Sequence, residues 1–337
     1  MGLMRAAVLD GFGQALRLTS LPIPAPGPGE ILVRLQASGV CHSDVHIWQG
    51  ETRPSVAPDP FILGHEGVGL VAALGSDVTD WKIGDRAGAA WLHDTCGSCE
   101  MCLGGNESFC AASRAHGFDV AGSFAEYMIA KAAFAVRLPT GDAANLAPLM
   151  CAGLTAFGAI ERAALQHGET CAIFGCGGLG LYAVQLAAQR GAAVIAVDTD
   201  PAKLSIAQRL GAVYTHISGP DLAQNWPASN RAHVTLNFAP TPRTWAAMVA
   251  ATRPLGRIVA AAMVSEPVPL NQEWLTWTGI SITGTSVGTR AQMTRLLDAH
   301  AAQPLHSEVI KIGLDGASDA LAALADGRAL GRYCITF

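Results

Sequence analysis

Four cysteines lie close together in the first third of the chain. Cys96, Cys99, Cys102 and Cys110 are separated by two, two and seven residues. Four thiolates in one short loop suit a closed tetrahedral zinc site. A bacterial iron–sulfur motif also uses Cys-x2-Cys-x2-Cys, but it closes after three residues with a cysteine followed by proline, whereas Ala111 follows the last cysteine here. The spacing therefore favours structural zinc over an iron–sulfur cluster or free thiols.

A second set of metal-binding residue types is scattered along the chain. Cys41, the pair His65-Glu66, and Cys151 are far apart in sequence. Two thiolates and one imidazole, with a fourth position left open, are a donor set of catalytic zinc, which acts as a Lewis acid on a bound hydroxyl. Isolated cysteines are, however, usually small buried hydrophobes. Spacing alone leaves both interpretations open.

The segment 175–180 matches the pattern G-x-G-x-x-G between a predicted strand and a predicted helix. Such glycines let the backbone approach a pyrophosphate at a helix N-terminus. Asp198 follows about 20 residues later, where a carboxylate accepts hydrogen bonds from a ribose diol and repels a 2′-phosphate, so NAD is favoured over NADP. The alternative is that Asp198 caps the next helix. Lys203 is within reach of the same ribose, with a solvated helix lysine as its alternative. The residues predicted to contact the dinucleotide in this loop are Gly175, Gly177, Gly178, Leu179 and Gly180.

The elements around this loop alternate between apolar strands and alanine-rich helices. This order predicts a parallel, doubly wound sheet. The predicted strands are 170–174, 193–197, 233–238 and 257–261, and the predicted helices are 179–190, 201–210 and 243–252.

The first half of the chain is richer in turn residues and predicts a mostly β domain. The proline- and glycine-rich run 21–29 is predicted to be a loop, with strands at 30–36 and 67–71. From Thr289 onward we expect a helix, a strand near 308–312, another helix and a final strand at 332–336, which rejoin the first domain. The predicted domains are therefore 1–150 with 289–337, and 151–288.

Composition excludes several classes of protein. Of the 337 residues, half are hydrophobic and 15% are charged, which excludes a disordered chain. The net charge is −5 and no run of basic residues is present, so nucleic acid is not an expected partner. No window approaches the roughly 20 unbroken apolar residues of a membrane span, and residues 1–12 lack the apolar core of a signal peptide. We expect a cytoplasmic protein with no membrane partner.

Several separate stretches resemble the medium-chain zinc-dependent alcohol dehydrogenases, especially their shorter microbial branch. The resemblance covers essentially the whole length and implies a Rossmann domain plus a chaperonin-10-like, mostly β catalytic domain that carries a zinc-binding lobe at about 93–112. The stretches that carry it are Gly39-Val-Cys-His-Ser-Asp-Val-His46, Gly64-His-Glu-Gly67, the lobe with Gly105-Asn-Glu-Ser108, Gly122-Ser-Phe-Ala-Glu-Tyr127, Cys151-Ala-Gly-Leu-Thr155, the glycine loop and Gly284-Thr-Ser-Val-Gly-Thr-Arg290.

The resemblance implies two zinc ions per chain. Cys41, His65 and Cys151 are the implied ligands of the catalytic ion, and the four cysteines of the lobe are those of the structural ion. Asp44 matches a carboxylate that accepts a hydrogen bond from the histidine ligand, with a loop cap as the alternative. Glu66 matches the acid beside the zinc, which is also available as a transient ligand.

The same resemblance implies a proton relay and further cofactor contacts. Ser43 and His46 match the hydroxyl and the histidine that pass the alcohol proton through the cofactor ribose. His42 matches a phosphate contact, with an exposed loop histidine as the alternative. Thr155 is assigned to the nicotinamide, and Arg332 to the pyrophosphate, with a surface salt bridge as the alternative for Arg332.

Two positions depart from the family pattern. Ala262 stands where relatives usually have glycine in the segment that holds the carboxamide, and Asn237 stands where an acidic or glycine-containing segment is common.

The predicted activity is reversible, NAD-dependent hydride transfer between a primary alcohol and its aldehyde. Trp48 and Trp91 match aromatic wall positions of the substrate pocket, and bulky walls favour small or flat substrates. The resemblance favours a homotetramer or homodimer that associates through the cofactor domain. The alternatives are an oxidoreductase for secondary, cyclic or hydroxyacyl substrates, and a cofactor-binding protein without turnover.

Overall fold

The chain separates into two units in the computed structural model, which describes residues 2–329 and 331–337. The first unit comprises Met1–Ala152 and Thr289–Phe337, and the second comprises Gly153–Gly288.

Elements are numbered along the chain. The strands are β1 (Leu3–Val8), β2 (Arg17–Pro22), β3 (Glu30–Gly39), β4 (Gly67–Leu74), β5 (Arg86–Ala89), β6 (Leu92–Asp94), β7 (Arg114–Ala115), β8 (Tyr127–Lys131), β9 (Val136–Arg137), β10 (Thr170–Phe174), β11 (Ala193–Asp198), β12 (Ala212–Ile217), β13 (Ala232–Asn237), β14 (Thr252–Ala260), β15 (Ser281–Gly284), β16 (Val309–Ile312) and β17 (Arg332–Thr336). The α-helices are α1 (His42–Trp48), α2 (Glu100–Leu103), α3 (Ala143–Leu146), α4 (Ala152–Arg162), α5 (Gly178–Gln189), α6 (Pro201–Arg209), α7 (Trp245–Ala251), α8 (Gln272–Thr278), α9 (Arg290–Ala302) and α10 (Ala317–Ala325). Single 3₁₀ turns lie at Glu107–Phe109, Ala147–Met150, Ala228–Asn230, Pro242–Thr244 and Leu314–Gly316.

The first unit is built on a sheet with the strand order β16-β17-β3-β4-β5-β9, to which β8 adds by pairing with β3. Strand β3 is central and mostly buried, with Arg34 exposed, as its largely apolar sequence predicts. Its last residue, Gly39, pairs with Cys334 of β17, while Ser38 pairs with Gly67 at the start of β4. This register brings the segments after β3, before β4 and at β17 to one edge of the sheet.

One loop prediction is wrong in part. The run 21–29 is predicted to be loop throughout, but Leu21 and Pro22 belong to β2, which pairs only with β1 among the described residues. Proline is tolerated there because a strand of a two-stranded sheet has one unpaired edge, which needs no N–H from that residue.

The second unit is a parallel sheet in the order β12-β11-β10-β13-β14-β15, flanked by helices. The predicted elements between 170 and 210 are confirmed to within one residue at each end. Strands β10 and β11 are almost fully buried and mostly apolar, which is why the sequence reveals them, whereas β13 also carries His233, Thr235 and Asn237. The strand order reverses at β10, and ligands of such sheets bind at the carboxyl ends of the strands beside this point.

Helices α4 and α8 and strands β12 and β15 of this unit are absent from the prediction. Strand β12 is an edge strand whose residues are mostly exposed, and β15 has four residues with none fully buried, so neither shows an apolar pattern. Helix α8 also contains no buried residue. Strand β14 starts at Thr252, five residues before the predicted strand.

Among the described residues, no single helix is long and apolar enough to cross a membrane. One bent pair, 143–150 with 152–162, meets that criterion by length and composition together, and most of its residues are buried within the protein.

Candidate functional site

Cys41, His65, Glu66 and Cys151 meet in the first unit although they are far apart in sequence. One ligand atom from each lies within 4.8 Å of the other three, and all four residues are buried. The two sulfur atoms are 3.8 Å apart. Two thiolates on a tetrahedral zinc ion with Zn–S bonds of about 2.3 Å are also about 3.8 Å apart, whereas a disulfide bond is about 2.05 Å long. The spacing therefore fits a metal ion.

Asp44 orients this cluster from the first turn of α1. Its Oδ2 accepts the backbone N–H of Cys41 at 2.8 Å, and its Oδ1 accepts the N–H of Gly64 and the Nδ1–H of His65, both at 3.1 Å. The side chain is therefore both a loop cap and the partner of the imidazole. In the neutral ring with its proton at Nδ1, Nε2 carries the lone pair, and this buried atom has no hydrogen-bond partner among the described residues. It is available to a metal ion.

Glu66 and Arg332 form a buried ion pair beside the cluster. Arg332 Nη2 donates to Glu66 Oε1, and both side chains are almost completely buried. The alternative of a surface salt bridge for Arg332 is therefore wrong. Burial raises the pKa of the Glu66 carboxyl to about 7, although the Arg332 charge acts in the opposite direction. The assignment of Arg332 to a pyrophosphate stays a prediction.

Close contacts within the cluster also shift the pKa values of the two thiols and of the imidazole. The pKa of the Cys41 thiol is lowered well below its ordinary value by the hydrogen bond from Cys151, whose own pKa is raised by the same contact. Burial alone lowers the pKa of His65, but the Asp44 carboxylate outweighs it and the pKa is raised. Thiolates next to cationic groups are the form that ligates metals.

The cysteine lobe forms a second cluster. The ligand atoms of Cys96, Cys99, Cys102 and Cys110 lie within 4.8 Å of one another, and their closest sulfur pairs are 3.6 to 3.9 Å apart. These spacings are again those of thiolates around one tetrahedral ion. Backbone N–H groups of Ser98 and Cys99 lower the pKa of Cys96 to about 6. The backbone N–H of Cys102 lowers the pKa of Cys99, but side-chain contacts with the neighbouring thiols outweigh it and raise this pKa to about 11, so it is the spacing of the sulfur atoms that fits a cation.

Helix α1 carries the predicted relay residues. Ser43 Oγ lies 3.8 Å from Cys41 Sγ, and the rings of His42 and His46 meet edge to face at 5.1 Å. His42 is half-buried in this helix. His46 Nδ1 contacts the Glu51 carboxylate at 2.5 Å, a partner that the sequence analysis missed. The sequence signal for this contact is an acidic residue, Glu51, five positions after the predicted relay histidine His46.

The two predicted wall residues have different surroundings. The Trp91 ring lies edge-on to His65 with centroids 5.0 Å apart, and it stacks on Phe118 at 6.1 Å. Trp48 donates its indole N–H to the carbonyl of Gln14 at 2.6 Å and packs against the core that contains β1 and α10. Trp91 thus lies beside the candidate metal ligands, while the described polar contact of Trp48 is with the 10–16 segment.

In the second unit, each glycine of the loop has a distinct role. Gly175 has φ +90°, and a Cβ on it would lie 2.7 Å from the backbone nitrogen of Ala239. A Cβ on Gly180 would lie 1.8 Å from the Gly175 carbonyl oxygen, so this residue permits close packing of α5 on β10. Gly177 precedes α5 and faces open space, as a residue that lets a pyrophosphate approach must. Gly178 and Leu179 form the first turn of α5.

Asp198 lies at the end of β11 and faces this loop. Its Oδ2 accepts the N–H of Cys176 at 2.7 Å, and its Oδ1 accepts the N–H of Asp200 at 3.0 Å. The alternative that it caps α6 is wrong, because Asp200 is the N-cap and accepts the N–H of Ala202. Lys203 is half-buried on α6, and Thr155 is buried on α4.

The two departures from the family pattern contact each other. The carbonyl of Asn237 accepts N–H groups of Ala261 and Ala262, both at 3.0 Å, and its Oδ1 accepts the N–H of Ala239. Asn237 therefore joins the carboxyl ends of β13 and β14.

The fold, the two thiolate clusters and the glycine loop together define a metal-binding, dinucleotide-dependent oxidoreductase.

Comparisons with known proteins agree with this class. Residues 27–140 match the alcohol dehydrogenase GroES-like domain, and residues 178–302 match the zinc-binding dehydrogenase family. An alcohol dehydrogenase from Moraxella sp. (strain TAE123) is 39% identical over 337 residues, with 99% of each protein covered. The cobalt- and zinc-bound thermostable alcohol dehydrogenase of Pyrobaculum aerophilum superposes with a TM-score of 0.90 at 29% identity, covering 100% of both chains. Acetophenone reductase from Geotrichum candidum, solved with NAD, gives 0.88 at 28% identity, covering 99% of this chain and 97% of that one.

The chain belongs to the medium-chain, zinc-dependent alcohol dehydrogenase family. It is an oxidoreductase that acts on alcohols. The predicted family, the two-part fold class, and zinc and NAD as cofactors are confirmed.

Proposed function

We propose that this enzyme oxidises small primary alcohols to aldehydes with NAD and catalyses the reverse reaction. The observation that carries the proposal is the buried donor set Cys41, His65 and Cys151, with the free His65 Nε2 oriented by Asp44 and the Trp91 ring beside it. Residues 1–150 with 289–337 are the catalytic domain in this proposal, and 151–288 are the NAD-binding domain.

Cys41, His65 and Cys151 would hold the catalytic zinc ion, and the lobe cysteines the structural one. The catalytic ion supplies Lewis acidity toward the alcohol hydroxyl. Asp44 keeps the proton of His65 at Nδ1, so that Nε2 stays a ligand. The Arg332 charge compensates the buried Glu66 carboxylate beside the thiolates.

The proton of the alcohol leaves through Ser43 and His46 in this proposal. The position of Ser43 Oγ near Cys41 Sγ supports the first step. The half-buried His46 supports the second, because it contacts the more exposed Glu51 and so lies between the site and water. The bound coenzyme would supply a hydride acceptor, while this chain's own residues remove the proton.

Asp198 supports NAD rather than NADP as the coenzyme. A carboxylate at the end of the second strand accepts the ribose hydroxyls and repels a 2′-phosphate. Its carboxylate accepts two backbone N–H groups and, at 3.5 Å, the Thr199 hydroxyl, so no arginine or lysine neutralises it through a described hydrogen bond.

Trp91 and Phe118 favour small or flat primary alcohols over branched ones, because a stacked aromatic pair beside the ligand His65 is a rigid wall. Secondary alcohols are the second candidate, supported by the similarity in fold to acetophenone reductase, whose substrate is a ketone.

The test is the initial rate of NAD reduction with ethanol, benzyl alcohol, cyclohexanol and 1-phenylethanol, together with zinc measured per chain. We expect two zinc ions, and kcat/KM highest for the primary alcohols. Cys41→Ser serves as the matched variant: it should retain the structural zinc and lose turnover. Two zinc ions with no turnover of any alcohol or aldehyde would contradict the proposed activity, and a preference for 1-phenylethanol would favour the second candidate.

We further propose that the enzyme is a homo-oligomer that associates through its cofactor-binding unit. Leu255 and Trp277 are 78% and 82% exposed, unusual for large apolar side chains, and they belong to β14 and α8 next to edge strand β15. Sedimentation velocity should show a dimer or tetramer for the native chain and a smaller species for Trp277→Glu. A native monomer would refute this assembly.

A further inference from the structure

His116 and Trp91 are linked in a way that the proposed function does not use. Trp91 lies between β5 and β6, is half-buried, and presents its ring edge-on to His65. Its second aromatic neighbour, Phe118, is two residues after His116. The same short segment therefore supplies both Phe118 and the residue that contacts the Trp91 backbone.

His116 holds the backbone on both sides of the Trp91 Cα atom. Its Nδ1 lies 2.8 Å from the carbonyl oxygen of Ala90, and its backbone N–H donates to the carbonyl of Trp91 at 2.9 Å. A carbonyl only accepts hydrogen bonds, so the imidazole proton is at Nδ1. His116 is 1% exposed, and these bonds are shielded from competing water.

His93 fixes the other side of the ring. His93 Nδ1 lies 3.0 Å from His116 Nε2, and the two rings meet at 90°. Because His116 carries its proton at Nδ1, its Nε2 is the acceptor and His93 is the donor. Burial and the neighbouring His93 lower the pKa of His116 to about 3, so that the ring stays a neutral acceptor at neutral pH.

The turn after His116 is also fixed against the metal-ligand segment. Gly117 has φ +70°, and a Cβ on it would lie 2.7 Å from the carbonyl oxygen of Gly64, the residue before His65. The backbone that carries Phe118 thus packs directly on the backbone that carries His65. Trp91 and Phe118 have one common support.

We propose that His116, braced by His93, is a positioning residue that holds Trp91 against His65 and thereby limits the size of the alcohol that the enzyme accepts. The inference rests on the proposed function, since it concerns the specificity of that site. A histidine pair that merely filled the core would support folding and leave the ratio between substrates unchanged.

The experiment compares His116→Ala with His116→Asn, whose amide N–H replaces the Nδ1–H donor to Ala90. The measured quantity is kcat/KM for 1-phenylethanol divided by kcat/KM for ethanol. We expect the ratio to rise about tenfold in His116→Ala, a typical effect of a change in pocket space, and to stay within about threefold of the native value in His116→Asn. Zinc content and NADH affinity of each variant check that it is folded.

Trp91→Ala completes a double-mutant cycle. The ratio should be raised in this variant, and adding His116→Ala should change it no further. An equal effect of His116→Ala in the native and Trp91→Ala backgrounds, or equal losses for both alcohols, would overturn the proposal.

A second readout separates this proposal from the activity itself. With 5-fluorotryptophan incorporated, the Trp91 ¹⁹F signal is identified by its loss in Trp91→Phe. We expect it to shift or broaden in His116→Ala and to be retained in His116→Asn, whether or not alcohols are turned over. An unchanged Trp91 signal in His116→Ala refutes the positioning role even if the enzyme is active, while a changed signal in an inactive enzyme refutes only the proposed function.

Discussion

Asp198→Asn is expected to reduce discrimination between the two coenzymes. The carboxylate has about four lone-pair sites. Backbone N–H groups of Cys176 and Asp200 occupy one site on each oxygen, at 2.7 and 3.0 Å. One further site per oxygen is left for the two hydroxyls of a ribose, apart from a long contact of 3.5 Å from Thr199.

The magnitude follows from what asparagine can accept. Its Oδ1 retains both lone pairs, but its Nδ2 is a donor, so the charge-assisted hydrogen bond to one ribose hydroxyl is lost, together with the acceptor for one of the two backbone N–H groups. A hydrogen bond to a charged group contributes about 1.5 to 3 kcal/mol. The ratio of kcat/KM for NAD to kcat/KM for NADP should therefore fall about 10- to 150-fold, with a gain for NADP from the removed repulsion.

The assay measures both kcat/KM values and the NADH dissociation constant by fluorescence. Asp200→Asn is the matched control, since it makes the same change two residues away at the N-cap of α6, where asparagine caps equally well. It should leave the ratio within about threefold of the native value. If Asp198→Asn weakens NAD and NADP equally, Asp198 only supports the loop through Cys176, and the reasoning fails.

Three other predictions concern the lobe, the relay and acid stability. Cys110→Ser should lower the zinc content from two ions to one and make the lobe sensitive to proteolysis, because structural zinc stabilises the fold of the lobe. Cys171→Ser is the control: it lies outside both clusters and should retain two ions. An unchanged zinc content in Cys110→Ser would contradict the structural site. Glu51→Gln should lower kcat about two- to fivefold, because an exposed ion pair contributes up to about 1 kcal/mol. The zinc content should not change. An unchanged kcat would show that Glu51 is not part of the relay. His116 faces His93, and its pKa is lowered from the ordinary 6.5 to about 3. Below pH 6.5 the unfolded chain therefore binds one more proton at this histidine than the folded chain does. The stability that this histidine contributes is full above pH 6.5 and is lost as pH falls toward 3. Between pH 7 and 5 the free energy of local opening of residues 114–120 should fall by about 2 kcal/mol in the native enzyme and much less in His116→Asn. The measurement is amide hydrogen exchange corrected for pH. An equal fall in both proteins would contradict this role of His116.

The sequence by itself determined the elements with strong local patterns. The buried strands β10 and β11 are mostly apolar, and the helices that follow them begin at glycine or proline signals, so their boundaries follow from local sequence. The Cys96 to Cys110 spacing indicates a metal site because all four ligands come from one loop. Edge strand β12 and helix α8 lack such patterns, because their residues are largely exposed and little selects their composition.

The tertiary structure alone decided which distant residues meet. Cys41, His65, Cys151 and Arg332 converge because β3 pairs with both β4 and β17, and strand pairing at long sequence separation leaves no local signal. The resemblance to a family implied the zinc ligands in advance, but it assigned Arg332 only to the pyrophosphate. In the structure, the buried Glu66 carboxylate requires a counter-charge, and Arg332 supplies it. The contact of His116 with both carbonyls around Trp91 has the same origin: it depends on the register of two loops brought together by the sheet, which no spacing in the sequence encodes.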